Sequence, residues 1–266
     1  MYTDTVDWLT DYFSKYSHYF YISGHESLSI SFDIPDSIIH FIFYGNKKGI
    51  FAYILSIDVS SVNREVVKAK IMKHSLLDKI SSIFGKIHIV LYDKQNNFSV
   101  FVSSKFVDMN SSSLEKYFSK VNSILTRNKG TIKDVNISIN NYFQAWGRKH
   151  LSKYIVQNDI DVFTIKTPSI FELKRVQQDT AEWMPYLDDK ANYRCLKKIC
   201  YQNKMDFKIL AYRQDREMEV AYHKIQKIDD DKIYGMFTLC SPKEVYKDVE
   251  DFKDIIRYES RNRRQY

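Results

Sequence analysis

One stretch constrains this chain more than any other: residues 161–174, Asp-Val-Phe-Thr-Ile-Lys-Thr-Pro-Ser-Ile-Phe-Glu-Leu-Lys. Apolar and β-branched residues flank a Thr167-Pro168 break, the pattern of two short strands joined by a turn. Side chains alternate faces along a strand, so Glu172 and Lys174 share one face while Leu173 takes the other. A turn over Thr167-Pro168 pairs Lys166 with Ser169, Ile165 with Ile170, Phe163 with Glu172 and Asp161 with Lys174. Directly paired residues share a face, so Asp161, Glu172 and Lys174 converge on one side. A four-residue loop keeps that register, and an odd-length loop destroys it.

The surroundings of this hairpin read as an alternation of helices and strands. Helical spacing covers 4–17, followed by strand-like runs at 19–23, 27–32, 38–44 and 49–57. A helix over 64–84 precedes a hairpin of 87–92 and 98–103, and Ser111 to Ser113 can cap a helix running to 125. The polar run Arg127-Asn-Lys-Gly-Thr-Ile-Lys-Asp134 is the candidate boundary between residues 1–134, an α+β region, and a second domain over 135–266. In that second domain a helix over 138–153 and a short strand over 154–157 lead into the hairpin. A loop through Trp183-Met-Pro-Tyr, a helix over 189–203 and strands at 206–212 and 220–225 follow it. Asp229-Asp-Asp231 reads as a turn, and the last 25 residues read as helical. The expected fold class is α/β.

Composition excludes several alternatives. The chain has 266 residues, 44% hydrophobic and 27% charged, which is ordinary for a globular protein with a sizeable core. Only 7 Gly are present, and neither GxxxxGK[ST] nor GxGxxG occurs, so nucleotide-cradling glycine loops are not expected. Cys195, Cys200 and Cys240 lack zinc-site spacing, and an odd cysteine count fits a reducing compartment. The N-terminus is acidic where a signal peptide is basic, and no apolar run approaches the roughly 20 residues of a membrane span. The expectation is a soluble cytoplasmic protein without a membrane partner. A net charge of +7, split almost evenly between the halves, is compatible with a polyanionic partner.

Two carboxylates with open water positions suit Mg²⁺, with Mn²⁺ as a substitute. Such an ion polarises a phosphate oxygen and lowers the pKa of a bound water. A lysine beside it can orient or activate that water and offset charge developing at phosphorus. Asp206-Phe-Lys208 and Asp251-Phe-Lys253 repeat the acidic-x-Lys spacing, but Glu172 alone follows an Asp-led apolar strand at hairpin distance. Asp159 has the same strand parity as Asp161; Asp161 is preferred because an unbroken apolar run begins directly after it. The alternative is a salt-bridge ladder on a sheet, with Lys174 paired to Asp161.

Asp161-x10-Glu172-Leu173-Lys174, followed by a helix and a strand, resembles the signature of the PD-(D/E)XK nuclease superfamily, with Ile160 where many members have Pro. The resemblance covers roughly residues 138–225. It implies a restriction-endonuclease-like core of α-β-β-β-α-β order, a mixed central sheet flanked by helices. It implies that Asp161 and Glu172 bind Mg²⁺ while Lys174 assists attack by water. The expected function is Mg²⁺-dependent hydrolysis of DNA, by an endonuclease of restriction or defence type. Cleavage of both strands then needs a homodimer or two sequential events. An RNA endonuclease with the same core, or a non-catalytic basic nucleic-acid-binding protein, are the alternatives.

Arg194, Lys197 and Lys198 form a basic side of the helix after the hairpin and are candidate phosphate contacts, the alternative being a solvated amphipathic face. Arg175 faces away from the site. Trp183, Pro185 and Tyr186 either wall a cleft or pack their loop onto the core. Arg257, Arg261, Arg263 and Arg264 form a basic tail that either touches DNA or aids solubility. The presumed first helix, 138–153, supplies no glutamate as a third metal ligand.

Overall fold

The computed structural model describes residues 7–16, 19–45, 49, 51–121, 142–151, 155–233, 236–240 and 243–247. The chain divides into two compact units, one of Met1–Ile22 with Asp161–Tyr266 and one of Ser23–Ile160. The second unit is therefore inserted into the first. Residues 127–134, where the sequence suggested a boundary, lie outside the described residues, as does the basic tail. The observed division falls at 22/23 and 160/161 instead.

The chain opens with α1 (Trp8–Ser14), whose Trp8, Leu9, Tyr12 and Phe13 recur at one-turn spacing and are buried together. Strand β1 (Phe20–Ile22) follows, and the chain then enters the inserted unit. There α2 (Glu26–Ser31) replaces the strand expected at 27–32. Its N-terminus is capped by His25 Nδ1, which accepts from Ser27 N at 3.1 Å. Ser31 Oγ donates to the Ser27 carbonyl at 2.7 Å, a local bond that suits a helix and not a strand.

Strands β2 (Ile38–Gly45) and β3 (Phe51–Asp58) are antiparallel, buried almost throughout, and read as continuous apolar runs for that reason. The single helix expected over 64–84 is two, α3 (Arg64–Ile71) and α4 (Ser75–Phe84). Asn63 Oδ1 caps the first by accepting from Glu65 N and Val66 N. His74 Nδ1 caps the second by accepting from Leu76 N, and this new N-terminus breaks the run. Gly85, at φ 76°, ends it. Strand β4 (Ile87–Tyr92) runs parallel to β3, and β5 (Phe98–Val102) returns antiparallel to it. A further strand the sequence reading missed, β6 (Lys105–Met109), turns back through Ser103 and Ser104, both at positive φ.

Helices α5 (Ser111–Val121) and α6 (Tyr142–His150) and strand β7 (Val156–Asp159) complete the unit, giving the order β6-β5-β4-β3-β2-β7. Asn110, not Ser111 to Ser113, caps α5 by accepting from Ser113 N at 2.9 Å. Tyr44, Tyr92, Phe98, Phe118, Phe143 and Trp146 form one aromatic core with Ile42, Ile54 and Val90. Gly147 permits the close approach of α6, since a Cβ there would come within 2.6 Å of both Tyr44 Oη and Gln157 Oε1.

Back in the first unit come β8 (Val162–Thr164), β9 (Ser169–Arg175), a 3-10 turn at Leu187–Asp189, and α7 (Lys190–Gln202). Then follow β10 (Asp206–Tyr212), β11 (Val220–Lys224), β12 (Lys227–Ile233), β13 (Met236–Cys240) and β14 (Lys243–Tyr246). The sheet order is β1-β8-β9-β10-β11-β14, with β12 and β13 as a separate pair. β9 and β10 run parallel and their neighbours antiparallel. Three expectations are corrected here. The helix and strand expected at 138–153 and 154–157 are α6 and β7, and β7 pairs with β2 of the inserted unit. The strand beside β8 is β1, from the N-terminus. Asp229 to Asp231 lie in β12, and 243–246 are strand, not turn and helix.

Candidate functional site

Strand β9 alternates as expected. Phe171 packs with Trp8, Leu9, Tyr12 and Phe13 of α1, and partly buried Leu173 joins that cluster. Ile170, Glu172 and Lys174 therefore point to the opposite face, where α7 lies. The hairpin register is displaced by two residues from the expected one. Val162 pairs with Phe171, Phe163 with Ile170 and Thr164 with Ser169, so residues 165–168 form the turn. Two local bonds hold that turn: Thr164 Oγ1 and Ser169 Oγ both donate to the Thr167 carbonyl, at 2.6 and 3.0 Å. The shift is even, so parity survives. Asp161, one step beyond the ladder, is the cross-strand neighbour of Glu172 and not of Lys174.

Asp161 Oδ2 accepts from Leu173 N at 2.8 Å, which fixes the carboxylate across the hairpin. Asp159, the sequence alternative, lies in β7 of the other unit, where its Oδ2 is 3.0 Å from His40 Nδ1.

Glu172 is 2% exposed, and a carboxylate that buried needs compensation. Lys174 Nζ lies 3.0 Å from Glu172 Oε1, and Asn192 Nδ2 donates to the same oxygen at 3.1 Å. Lys174 Nζ is also 3.5 Å from Asp189 Oδ2 and lies over the Tyr193 ring, 5.4 Å from its centroid. Burial alone would lower the Lys174 pKa, but Glu172, Asp189 and Asp161 together outweigh it and hold the ammonium above the ordinary lysine value. The Tyr193 phenol is pushed up, first by burial and then by the same three carboxylates.

Asp189 and Asn192, at the start of α7, were not singled out in the sequence. The Asp188-Asp189 pair before an apolar-periodic run signals a helix N-terminus, and nothing in its spacing links it to a hairpin fifteen or so residues upstream. Among the described residues, no three His, Cys, Asp or Glu side chains are gathered into a ready metal cage. Asn192 Oδ1 is buried without a hydrogen-bond partner, an oxygen of the kind that ligates a hard cation or accepts from its bound water.

The other candidates separate. Lys197 Nζ donates to the Ile225 carbonyl at 2.7 Å, so it fastens the end of β11. Arg194 is exposed and Lys198 half-buried, and Tyr201, one turn further on, is 83% exposed. Arg175 lies on the α1 face, 3.6 Å from Asp7. Trp183 and Pro185 are buried, with Trp183 edge-on to His223, whereas Tyr186 is 49% exposed. Among the described residues no helix is long and apolar enough to cross a membrane.

No protein-family model and no curated protein matches this chain. Among solved structures, the C-terminal domain of the sex pheromone staph-cAM373 precursor from Staphylococcus aureus is similar at 11% identity, over 76% of this chain and 66% of that one. Its TM-score of 0.15 is too low to bear on fold or function.

Proposed function

We propose that this protein is a Mg²⁺-dependent nuclease that hydrolyses DNA phosphodiester bonds, an endonuclease of restriction or defence type, centred on Asp161, Glu172 and Lys174. The observation that carries the reading is the gathering of Glu172 and Lys174 on one sheet face, with Asp161 across the hairpin and Asp189 beside the ammonium. Element order adds support. With the inserted unit set aside, α1-β1-β8-β9-α7-β10 has the helix-strand-strand-strand-helix-strand sequence of the nuclease core that residues 161–174 resemble.

Asp161 and Glu172 are the residues that would hold Mg²⁺ or Mn²⁺. Two carboxylates are enough, because Mg²⁺ keeps several waters and takes its remaining ligands from substrate phosphate. When bound, the cation polarises the phosphate and makes hydroxide available near neutral pH. Lys174 remains protonated throughout that range, so its part is to offset charge at phosphorus and orient the attacking water, not to remove a proton. Asn192 holds Glu172 Oε1 in place. The competing reading is a structural ion cluster, favoured by the 3.0 Å contact of Lys174 with Glu172.

Incubating plasmid DNA and single-stranded RNA with purified protein separates these readings. The expected result is DNA cleavage with Mg²⁺ or Mn²⁺, none with chelator, and loss in Glu172→Ala and Lys174→Ala. Cleavage restricted to RNA moves the assignment to an RNA endonuclease. Cleavage that survives chelation, or is unchanged in both variants, overturns the metal site.

A further inference from the structure

One residue beyond Lys174, a cavity of about 870 Å³ opens outside the carboxyl ends of β9 and β10. These are the parallel strands of their sheet, and the crevice outside the carboxyl ends of parallel strands is where open α/β sheets receive ligands. Arg175, Gln177, Gln178, Tyr186, Arg213 and Asp215 contribute to its lining. We propose that this cavity is a nucleotide subsite, which seats one base of the substrate strand; the proposal rests on the nuclease reading above.

The chemistry of the walls selects that ligand. Side-chain amides such as Gln177 and Gln178 present a donor and an acceptor together, the pairing that reads a base edge. Tyr186 offers a half-exposed ring to a flat partner, and its hydroxyl lies 3.5 Å from Gln178 Oε1, which ties the ring to the amide. Stacking on such a ring tolerates any base, and the amides supply preference. Arg213 is held by its own turn: Nε and Nη2 donate to Asp215 at 2.8 and 2.5 Å, and its carbonyl accepts from the Trp8 indole. A guanidinium fixed in that way serves as a rigid wall. Arg175, on the α1 face with Asp7 at 3.6 Å and its side chain 47% exposed, adds positive charge to the wall. The volume lies within the roughly 300–1,000 Å³ typical of small-ligand pockets.

Two measurements on the full chain test the subsite. In chelator, anisotropy of a labelled short single-stranded DNA should show that Tyr186→Ala weakens binding about tenfold while Tyr186→Phe restores it, because the ring and not the hydroxyl does the stacking. With Mg²⁺ and a random-sequence DNA pool, the wild type should prefer particular bases at one position on a fixed side of the cut, and Gln178→Ala should flatten that preference. Wild-type cleavage with no base preference, together with unaltered binding by Tyr186→Ala, overturns the subsite and leaves the nuclease reading standing. Absence of cleavage with both Mg²⁺ and Mn²⁺ overturns the nuclease reading instead. The substrate subsite falls with it, and the binding arm then decides only whether the cavity holds a base: loss in Tyr186→Ala upholds base binding there, and wild-type affinity in Tyr186→Ala or no binding by the wild type overturns that too.

Discussion

The two six-stranded sheets of this protein use the same device to different ends. Each has a parallel pair joined by a helical crossover, β3 and β4 through α3 and α4 in the inserted unit, β9 and β10 through α7 in the other. In the inserted unit the sheet face that meets α5 and α6 is closed by rings. Phe143 and Trp146 stack at 5.5 Å between centroids, and Tyr44 and Tyr92 are buried beside them. Burial comes first in pushing both tyrosine pKa values up, so these phenols stay neutral. In the other unit the face beneath α7 carries Glu172 and Lys174 among Ile170, Phe207 and Ile209. Apolar side chains of similar volume would often be as stable or more stable there. One face is built to pack, the other holds charge that packing alone does not need.

The largest effects should divide along that line. Glu172→Gln is expected to lower metal-dependent cleavage by about 10³-fold at equal folded fraction; the amide keeps an acceptor for Asn192, and the unfolding midpoint falls only by what the lost charge pairing with Lys174 costs. Trp146→Ala should do the reverse, costing about 3–5 kcal/mol of stability in denaturant unfolding while cleavage per folded molecule persists. Loss of cleavage in the second variant, at equal folded fraction, would break the division.

A smaller pair of effects compares one histidine from each unit. His88 and His223 are both held at about 4, first by burial and then by Lys86 and Lys243 respectively. The unfolded chain takes up these protons near 6.5 and the folded one only near 4, so stability falls as pH drops through that window and then levels. Each should contribute about 3 kcal/mol of that loss. Urea titrations at a series of pH values should show a flatter acid limb for His88→Gln and for His223→Gln, each in the unit that carries it. The smallest effects concern α7. Lys197→Met should cost about 1 kcal/mol of stability through the lost Ile225 bond, with DNA affinity unaltered. Arg194→Ala and Lys198→Ala should each reduce the salt dependence of DNA binding by about one ion.

Local signals in the sequence were good guides where neighbours in the chain are neighbours in space. The strand Asp206–Tyr212 and the helix before it match the expected spans closely, since each carries its own period and punctuation. The hairpin parity was legible because side-chain alternation depends only on an even turn. Its register was not, because Thr164 and Ser169 bonding to the Thr167 carbonyl moves the turn by one residue and the pairing by two. Ser27 to Phe32 alternates like a strand, yet Ile30 is 58% exposed, and hydroxyls bonding to the backbone favour the helix. The insertion was illegible: that Phe20–Ile22 pairs with Val162–Thr164 is a contact between residues about 140 positions apart, and no local pattern announces it. For the same reason the sequence pointed to 138–157 as the start of the expected nuclease-like core, and left Asp189 and Asn192 unnoticed.

The most direct test of the charged face is a single plasmid-cleavage experiment with wild type, Glu172→Gln and Tyr44→Phe, each with Mg²⁺ and with chelator. Cleavage by wild type and Tyr44→Phe in Mg²⁺ alone, and none by Glu172→Gln, is the predicted result. Equal cleavage by Glu172→Gln, or cleavage by any of the three in chelator, would contradict it.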